Sequence, residues 1–597
     1  MHKWNRRNLL GSAGAAAVLG GFPVAGAPPR RTVAIVAEPN DPVAGSPQIR
    51  WAIELLVASL EGHGAHVTHA SPHTRLDRGT DRIILAGFAS SAAQRAFVSV
   101  GIRPAAVVGA TAIIPVGAGP DLALLAAGHD ISGLVYAILE LADRLRHGTS
   151  PGALFATARP VVEQPHNQVR SISRLFASDV EDLSWFHDRA MWRAYFTMLA
   201  THRFNRFQLS FGQGYDFIRQ VTDAYFLFAY PFLVGVPGYD VRVPQITDDE
   251  RARNLATLKY ISDECAAHGI EFQLGIWTHG YVWEDSPNAK HTVEGLTPQT
   301  HAAYCRDALR LVLQSCPAIS GVTFRVHGES GVPEGNFDFW RIVFDGVVTC
   351  GRPIRVDMHT KGMTQDMLDI AVATGQAVTV SPKYWAEHLG MPYHQAEIRA
   401  SERQQPGRPD ASTGLMRLSA GSRSFLRYGY GDLLREDRKW QVVHRIWPGT
   451  QRLLLWGDPQ SAAAYSRAFT FCGSNGVEIC EPLSFKGRRG SGLPGGRCAY
   501  ADTSLNPHWD WQKYSYTYRV WGRLLYNPAA TPDTWRRKLD FTFGRAAPHL
   551  EIALASASRI LPTVTTAHDP SAANNGYWPE IYINQSLIDA EHYEPYS

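Results

Sequence analysis

This sequence predicts an α/β architecture: a central (β/α)8 TIM barrel, an N-terminal α/β domain before it and a C-terminal helical region after it. Three observations predict it. Short apolar runs alternate with helical stretches through most of the 597 residues. The alternation comes in two blocks, parted by a Gly/Pro-punctuated connector over residues 147–165. From Asp510 onward the chain turns aromatic and helical. A chain this long exceeds a single core, since one domain takes roughly 100–200 residues.

The first 30 residues are read as a targeting segment. Trp4-Asn5-Arg6-Arg7-Asn8-Leu9-Leu10 sets two arginines before a modest apolar stretch that ends near Val24, and Ala25-Gly26-Ala27 supplies small residues for cleavage. That pattern predicts a twin-arginine export signal and a periplasmic or secreted product. The stretch is too short and too Gly/Ala-rich for a membrane helix, which needs about 20 strongly apolar residues. A disordered tail with incidental arginines is the alternative.

Composition excludes other classes. Net charge is +3 without a concentrated basic stripe, which argues against a nucleic-acid partner. The seven cysteines form no CxxC pair, so zinc-ribbon or thioredoxin chemistry is not expected. Folding in a reducing compartment before export suits free thiols as well as disulfides. Aromatic residues reach 11%, with 16 Trp, enough for sugar-stacking faces or simply for large cores.

In the first block, residues 31–150, strands are predicted at 32–36, 66–68, 82–87 and 111–115, with helices at 49–60 and 133–145. Gly87 follows a strand, but neither GxGxxG nor P-loop spacing is present, so no nucleotide cofactor is expected. The second block, residues 165–505, supplies eight candidate barrel strands: 169–176, 204–211, 270–277, 321–327, 353–358, 377–380, 452–456 and 476–480. Helical segments at 249–268, 299–314 and 364–374 lie between several of them. A doubly wound sheet is the competing arrangement, and the strand count favours the barrel. In residues 506–597, Trp511, Tyr514, Tyr518, Trp521 and Leu525 fall at helix spacing and are read as helix core. This region also offers a surface for a homodimer.

A barrel carries its active site at the C-terminal ends of its strands. The predicted ends here are rich in acids, cations and aromatics: Arg174 after the first strand, Trp277 and His279 after the third, then Arg325, His327 and Glu329 after the fourth. Asp357, His359 and Lys361 follow the fifth, Lys383, Tyr384 and Glu387 the sixth, Trp456 the seventh, and Glu478 and Glu481 the eighth. Such residues also cap loops, and any one end alone says little. Together they suit glycoside hydrolysis, which needs two carboxyl groups flanking the scissile bond, one protonated to serve the leaving oxygen. Glu329 is the expected acid, because Gly328 and Gly331 leave room for substrate. Its partner is open among Glu478, Glu481, Glu387 and Asp357. The cations Arg174, Arg325, Lys361 and Lys383, with His279, His327 and His359, would suit a substrate carboxylate such as a uronate, or would balance nearby acids. Trp277, Tyr384 and Trp456 complete the expected binding surface. No HExxH or tight His/Asp cluster is present, so no metal is expected.

Three segments carry a family resemblance. Leu125–Leu141, containing Gly128-His129-Asp130-Ile131-Ser132-Gly133, resembles the end of the α/β domain that precedes the barrel in exo-glycosidases, among them the xylan α-glucuronidases and β-hexosaminidases. Arg170–Arg174 with Phe204–Phe207 resembles their first two barrel strands, and Trp521-Gly522-Arg523-Leu524-Leu525-Tyr526-Asn527-Pro528 is similar to a stretch of the α-glucuronidases. The resemblance implies the same domain order and exo-action on a glycan terminus. It departs at the centre: hexosaminidases carry an Asp-Glu pair after the fourth strand, and here Gly328 precedes Glu329. The sequence therefore predicts an exported exo-glycosidase acting on an oligo- or polysaccharide, against a glycan-binding barrel without catalysis or a polysaccharide lyase.

Overall fold

The computed structural model describes residues 31–560 except 39, 117–121, 157–158, 177–178, 213–227, 283–290, 361–362, 383–435, 447–456 and 482–501. Two sheets organise it. The first holds β1 (Thr32–Ala37), β2 (His66–Ala70), β3 (Asp81–Gly87), β4 (Thr111–Val116), β5 (Ala123–Gly128) and β6 (Val161–Glu163), in the order β2-β1-β3-β5-β4-β6. β2, β1, β3 and β5 run parallel, while β4 is antiparallel to both its neighbours. β5 sits beside β3 and was not among the predicted strands. Its sequence, ALLAAG, is short and alanine-rich, so its strand character comes from burial between neighbours rather than from propensity.

The Gly128-to-Gly133 motif is the turn that joins β5 to the helix Ile131–Arg146. Asp130 caps that helix by accepting from Gly133 N at 2.8 Å, and its second oxygen accepts from Gly109 N at 2.9 Å. A Cβ on Gly133 would stand 2.1 Å from Ala110 O, and one on Gly128 2.0 Å from Leu134 N. The motif is thus a packing requirement of the strand–helix joint.

The second sheet is a closed, all-parallel eight-stranded barrel: β7 (Val169–Phe176), β8 (Arg206–Phe211), β9 (Glu271–Ile276), β10 (Ile319–Phe324), β11 (Arg355–His359), β12 (Val378–Ser381), β13 (Gln441–Ile446) and β14 (Gly476–Cys480). Seven of the eight predicted strands overlap these. The seventh does not: the barrel takes Gln441–Ile446, and residues 452–456 lie outside the described structure. The reason is compositional. Within Gln441–Ile446 the buried His444 and Arg445 interrupt the apolar run, and the Leu453-Leu454-Leu455-Trp456 run that follows is the more apolar of the two.

Among the described residues three helices follow, Ser515–Tyr526, Asp533–Phe543 and Ala547–Ser558. The predicted aromatic stripe is buried from Trp511 to Leu525, as helix core. Buried charges bind this region to the first domain. Arg523 and Arg537 reach Glu140 at 2.7 and 2.8 Å, and Arg519 and Arg537 reach Asp143 at 2.5 and 3.2 Å. The Tyr526 hydroxyl donates to Gly109 O at 2.7 Å. Gly522 packs so closely on the loop before β8 that a Cβ there would meet His202 O at 2.2 Å. Among the described residues no helix is long and apolar enough to cross a membrane.

Candidate functional site

Alternation along parallel strands sends every second residue into the barrel lumen. In most barrels branched apolar side chains fill that space; here it is polar. Gln208 donates to Ser210 at 2.7 Å, Gln273 donates to Thr323 and to Asp357 at 2.5 and 2.9 Å, and Thr323 donates to Gln208 at 2.5 Å. Ser381 donates to the other oxygen of Asp357. These bonds tie β8 through β12 together across the lumen. Glu478 lies in the same space on β14, where the Ser171 hydroxyl reaches it at 3.1 Å and the Arg445 guanidinium at 2.9 Å. Burial pushes the Glu478 carboxyl upward, against the pull of Arg445.

Toward the C-terminal mouth the residues become cationic and aromatic. Trp277, just past β9, forms the centre. The His359 ring stands edge-on to it at 5.0 Å, and the guanidiniums of Arg325 and Arg445 lie 4.7 and 5.8 Å from its centroid. His327 stands 6.5 Å from His359. All five side chains are buried. Five candidates from the sequence, Trp277, Arg325, His327, His359 and, deeper, Asp357, are therefore brought together with Glu478. Arg445 joins them without having been anticipated, because its strand was misplaced. The signal that could have found it is the β-branched pair Val442-Val443 followed, past His444, by Arg445 and Ile446.

The backbone places Glu329 in a short 3-10 turn, Gly328–Ser330. That turn is pinned to the loop after Trp277: His279 N and Gly280 N donate to Ser330 O at 2.7 and 2.9 Å. Gly331 follows with φ +81°, a conformation that favours glycine and lets the chain reverse there. The side chain of Glu329 lies outside the described structure, as do Lys361, Lys383, Tyr384, Glu387 and Trp456.

Three other candidates sit away from the lumen. Arg174 and Glu481 meet at 3.1 Å on the helix side of β7 and β14, and Arg174 also pairs with Asp510 at 3.0 Å and covers the Trp185 ring at 4.1 Å. The Tyr195 and Tyr518 hydroxyls donate to Glu481 at 2.6 and 3.1 Å. Burial lifts the Glu481 carboxyl to about 7, with Arg174 opposing. This cluster joins the strands to the C-terminal region. His279 lies among Phe324, Phe339 and Trp340, with the Tyr230 hydroxyl 3.1 Å from its Nε2, and burial drives its pKa down to about 3. Its ring is neutral packing, and its backbone is what positions the Glu329 turn.

No protein-family model and no curated protein matches this sequence. Among solved structures, the chain superposes on a GH138 enzyme targeting the pectin rhamnogalacturonan II with a TM-score of 0.59 at 15% identity, over 89% of this chain and 56% of that one. It therefore spans little more than half the length of that enzyme. A GH20 β-N-acetylhexosaminidase from Streptomyces coelicolor A3(2) matches with a TM-score of 0.37 at 13% identity, over 83% of this chain and 92% of that one. A GH20 exo-β-N-acetylglucosaminidase from Vibrio harveyi matches at 0.39 and 10%, over 89% and 74%. At such identities the likeness to the GH138 enzyme is one of fold.

Proposed function

We propose that this protein is an exported glycoside hydrolase that removes a terminal sugar, one carrying a carboxylate, from an oligo- or polysaccharide. The observation that carries this reading is the pinned turn: hydrogen bonds from the loop after Trp277 hold the backbone of Glu329 at the mouth of a barrel whose lumen is polar and cationic. Glu329 is assigned as the acid that protonates the leaving oxygen. Of the carboxylates considered as its partner, Glu478 and Asp357 occupy the lumen, whereas Glu481 is engaged by Arg174, Tyr195 and Tyr518 on the helix side. A pectin-derived glycan is the proposed substrate class, in keeping with the fold shared with a pectin-targeting enzyme. The segments resembling α-glucuronidases serve the domain joints, so they support the architecture and leave the choice of sugar to the mouth residues. Export rests on the twin-arginine pattern at Arg6-Arg7.

The test is incubation of the purified protein with pectin-derived and uronate-capped oligosaccharides, with products separated by chromatography. Release of a single monosaccharide is expected, and Glu329→Gln is expected to lower turnover by about 10²–10⁴-fold, the usual weight of a general acid. Full turnover by that variant would remove Glu329 from the role. Binding without release would point instead to a glycan-binding barrel.

A further inference from the structure

Two guanidiniums converge on one ring at the barrel mouth. The Cζ atoms of Arg325 and Arg445 lie 4.7 and 5.8 Å from the Trp277 centroid, and all three side chains are 0% exposed. Cation–π contact offsets part of the cost of withdrawing such charges from water, but two cations in one enclosure still call for anionic charge beside them. Arg445 has one carboxylate partner among the described residues, Glu478, which meets Nη2 at 2.9 Å. Nε, Nη1 and Nη2 of Arg445 are all buried and make no hydrogen bond to an acceptor among the described residues, so the contact with Glu478 is an ion pair alone. Glu478 is also shared, since its other oxygen accepts from Ser171 at 3.1 Å. A guanidinium presents its five N–H groups in a planar fork that matches a carboxylate edge. Arg445 sits one residue before the C-terminal end of β13, the end at which barrels bind substrate.

We infer that Arg445 is a specificity-determining residue that binds the carboxylate of the terminal sugar, with Glu478 as its internal counter-ion. The inference rests on the glycosidase reading above and deepens it by naming the group that selects an acidic sugar over a neutral one.

The experiment uses two oligosaccharides that differ only at the terminal unit, one ending in a hexuronate and the other in the hexose made by reducing its carboxyl. Wild type is expected to favour the uronate in kcat/KM by about 10–100-fold, the range of a hydrogen bond to a charged group. Arg445→Gln is expected to lose that preference, with kcat/KM falling about 10–100-fold further on the uronate than on the reduced substrate. Arg445→Lys keeps a charge against Glu478 and so protects the fold, but lacks the fork; it should lose part of the preference. Wild type that cleaves both substrates equally would overturn the inference. So would Arg445→Gln lowering both by one factor, which is the signature of a barrel-packing role. If no form cleaves either substrate, the glycosidase reading fails separately. Calorimetry with free hexuronate and hexose then decides the role of Arg445: uronate binding that weakens in Arg445→Lys supports it, and equal binding of the two sugars overturns it.

Discussion

Glu481 is held by groups that pull in opposite directions. Burial raises its carboxyl to about 7, while Arg174 and the hydroxyls of Tyr195 and Tyr518 favour the ionised form. A folded-state value above the unfolded one, near 4.3, means its contribution to stability is complete below that lower value and fades as pH rises through about 7. Glu481→Gln keeps acceptor and donor atoms in place and removes the titration. The variant is expected to flatten the loss of thermal stability between about pH 4 and 7. Parallel melting curves for parent and variant across that interval would contradict the assignment. Because Glu481 stands on the helix side of its strand, turnover by the variant is expected to stay within severalfold of the parent.

At the scale of elements, the strand-to-helix joint at Gly128–Gly133 illustrates how backbone approach dictates sequence. Ala110 O lies 2.1 Å from where a Gly133 side chain would begin. Gly133→Ala must therefore shift β4 or the helix, and is expected to cost about 1–3 kcal/mol, as overpacking in a filled core does, measured by denaturant unfolding. A loss under a few tenths would mean the joint relaxes freely. Most of the barrel was legible in the sequence for a related reason: strands such as Arg206–Phe211 and Glu271–Ile276 set an apolar residue at every second position. β13 was not, because Arg445 and His444 break the pattern that periodicity detects. β5 was not, because its alanines carry little strand signal. The site was legible in part. Trp277, Arg325, His327 and His359 could be placed at the mouth from their position after predicted strands. The same rule grouped Arg174, Glu481 and His279 with them, and their side chains lie away from the lumen, because nearness to a strand end without the phase of the alternation leaves the side open.

For the whole molecule, the buried charges between the first domain and the C-terminal helices make the two depend on each other. Glu140 is buried, which alone would raise its pKa, yet Arg537 and Arg523 hold its carboxyl well below the usual range, and Asp143 is held low by Arg519 in the same way. Depressed values contribute stability that is complete above the unfolded carboxylate pKa of about 4 and lost as pH falls through the folded values. Glu140→Gln removes the nearest carboxylate of both Arg523 and Arg537, leaving Arg537 with Asp143 at 3.2 Å and Arg523 with Glu163 at 3.8 Å, and is expected to cost about 3 kcal/mol at neutral pH, with the difference from the parent shrinking in acid. A neutral-pH change under about 1 kcal/mol would assign the clamp to packing instead. This clamp sets the barrel between its two flanking regions and leaves the C-terminal mouth, with Trp277, Arg325, Arg445, His359 and the Glu329 turn, as the place where chemistry is proposed. The most direct test of that proposal is the reaction run in ¹⁸O-labelled water on a uronate-capped pectic oligosaccharide, with products read by mass spectrometry. Hydrolysis at the mouth predicts a free terminal sugar carrying the heavy oxygen at its anomeric carbon, and loss of that product in Glu329→Gln. An unsaturated, unlabelled product would mean elimination rather than hydrolysis, and unchanged oligosaccharide would mean that the barrel binds glycan without cleaving it.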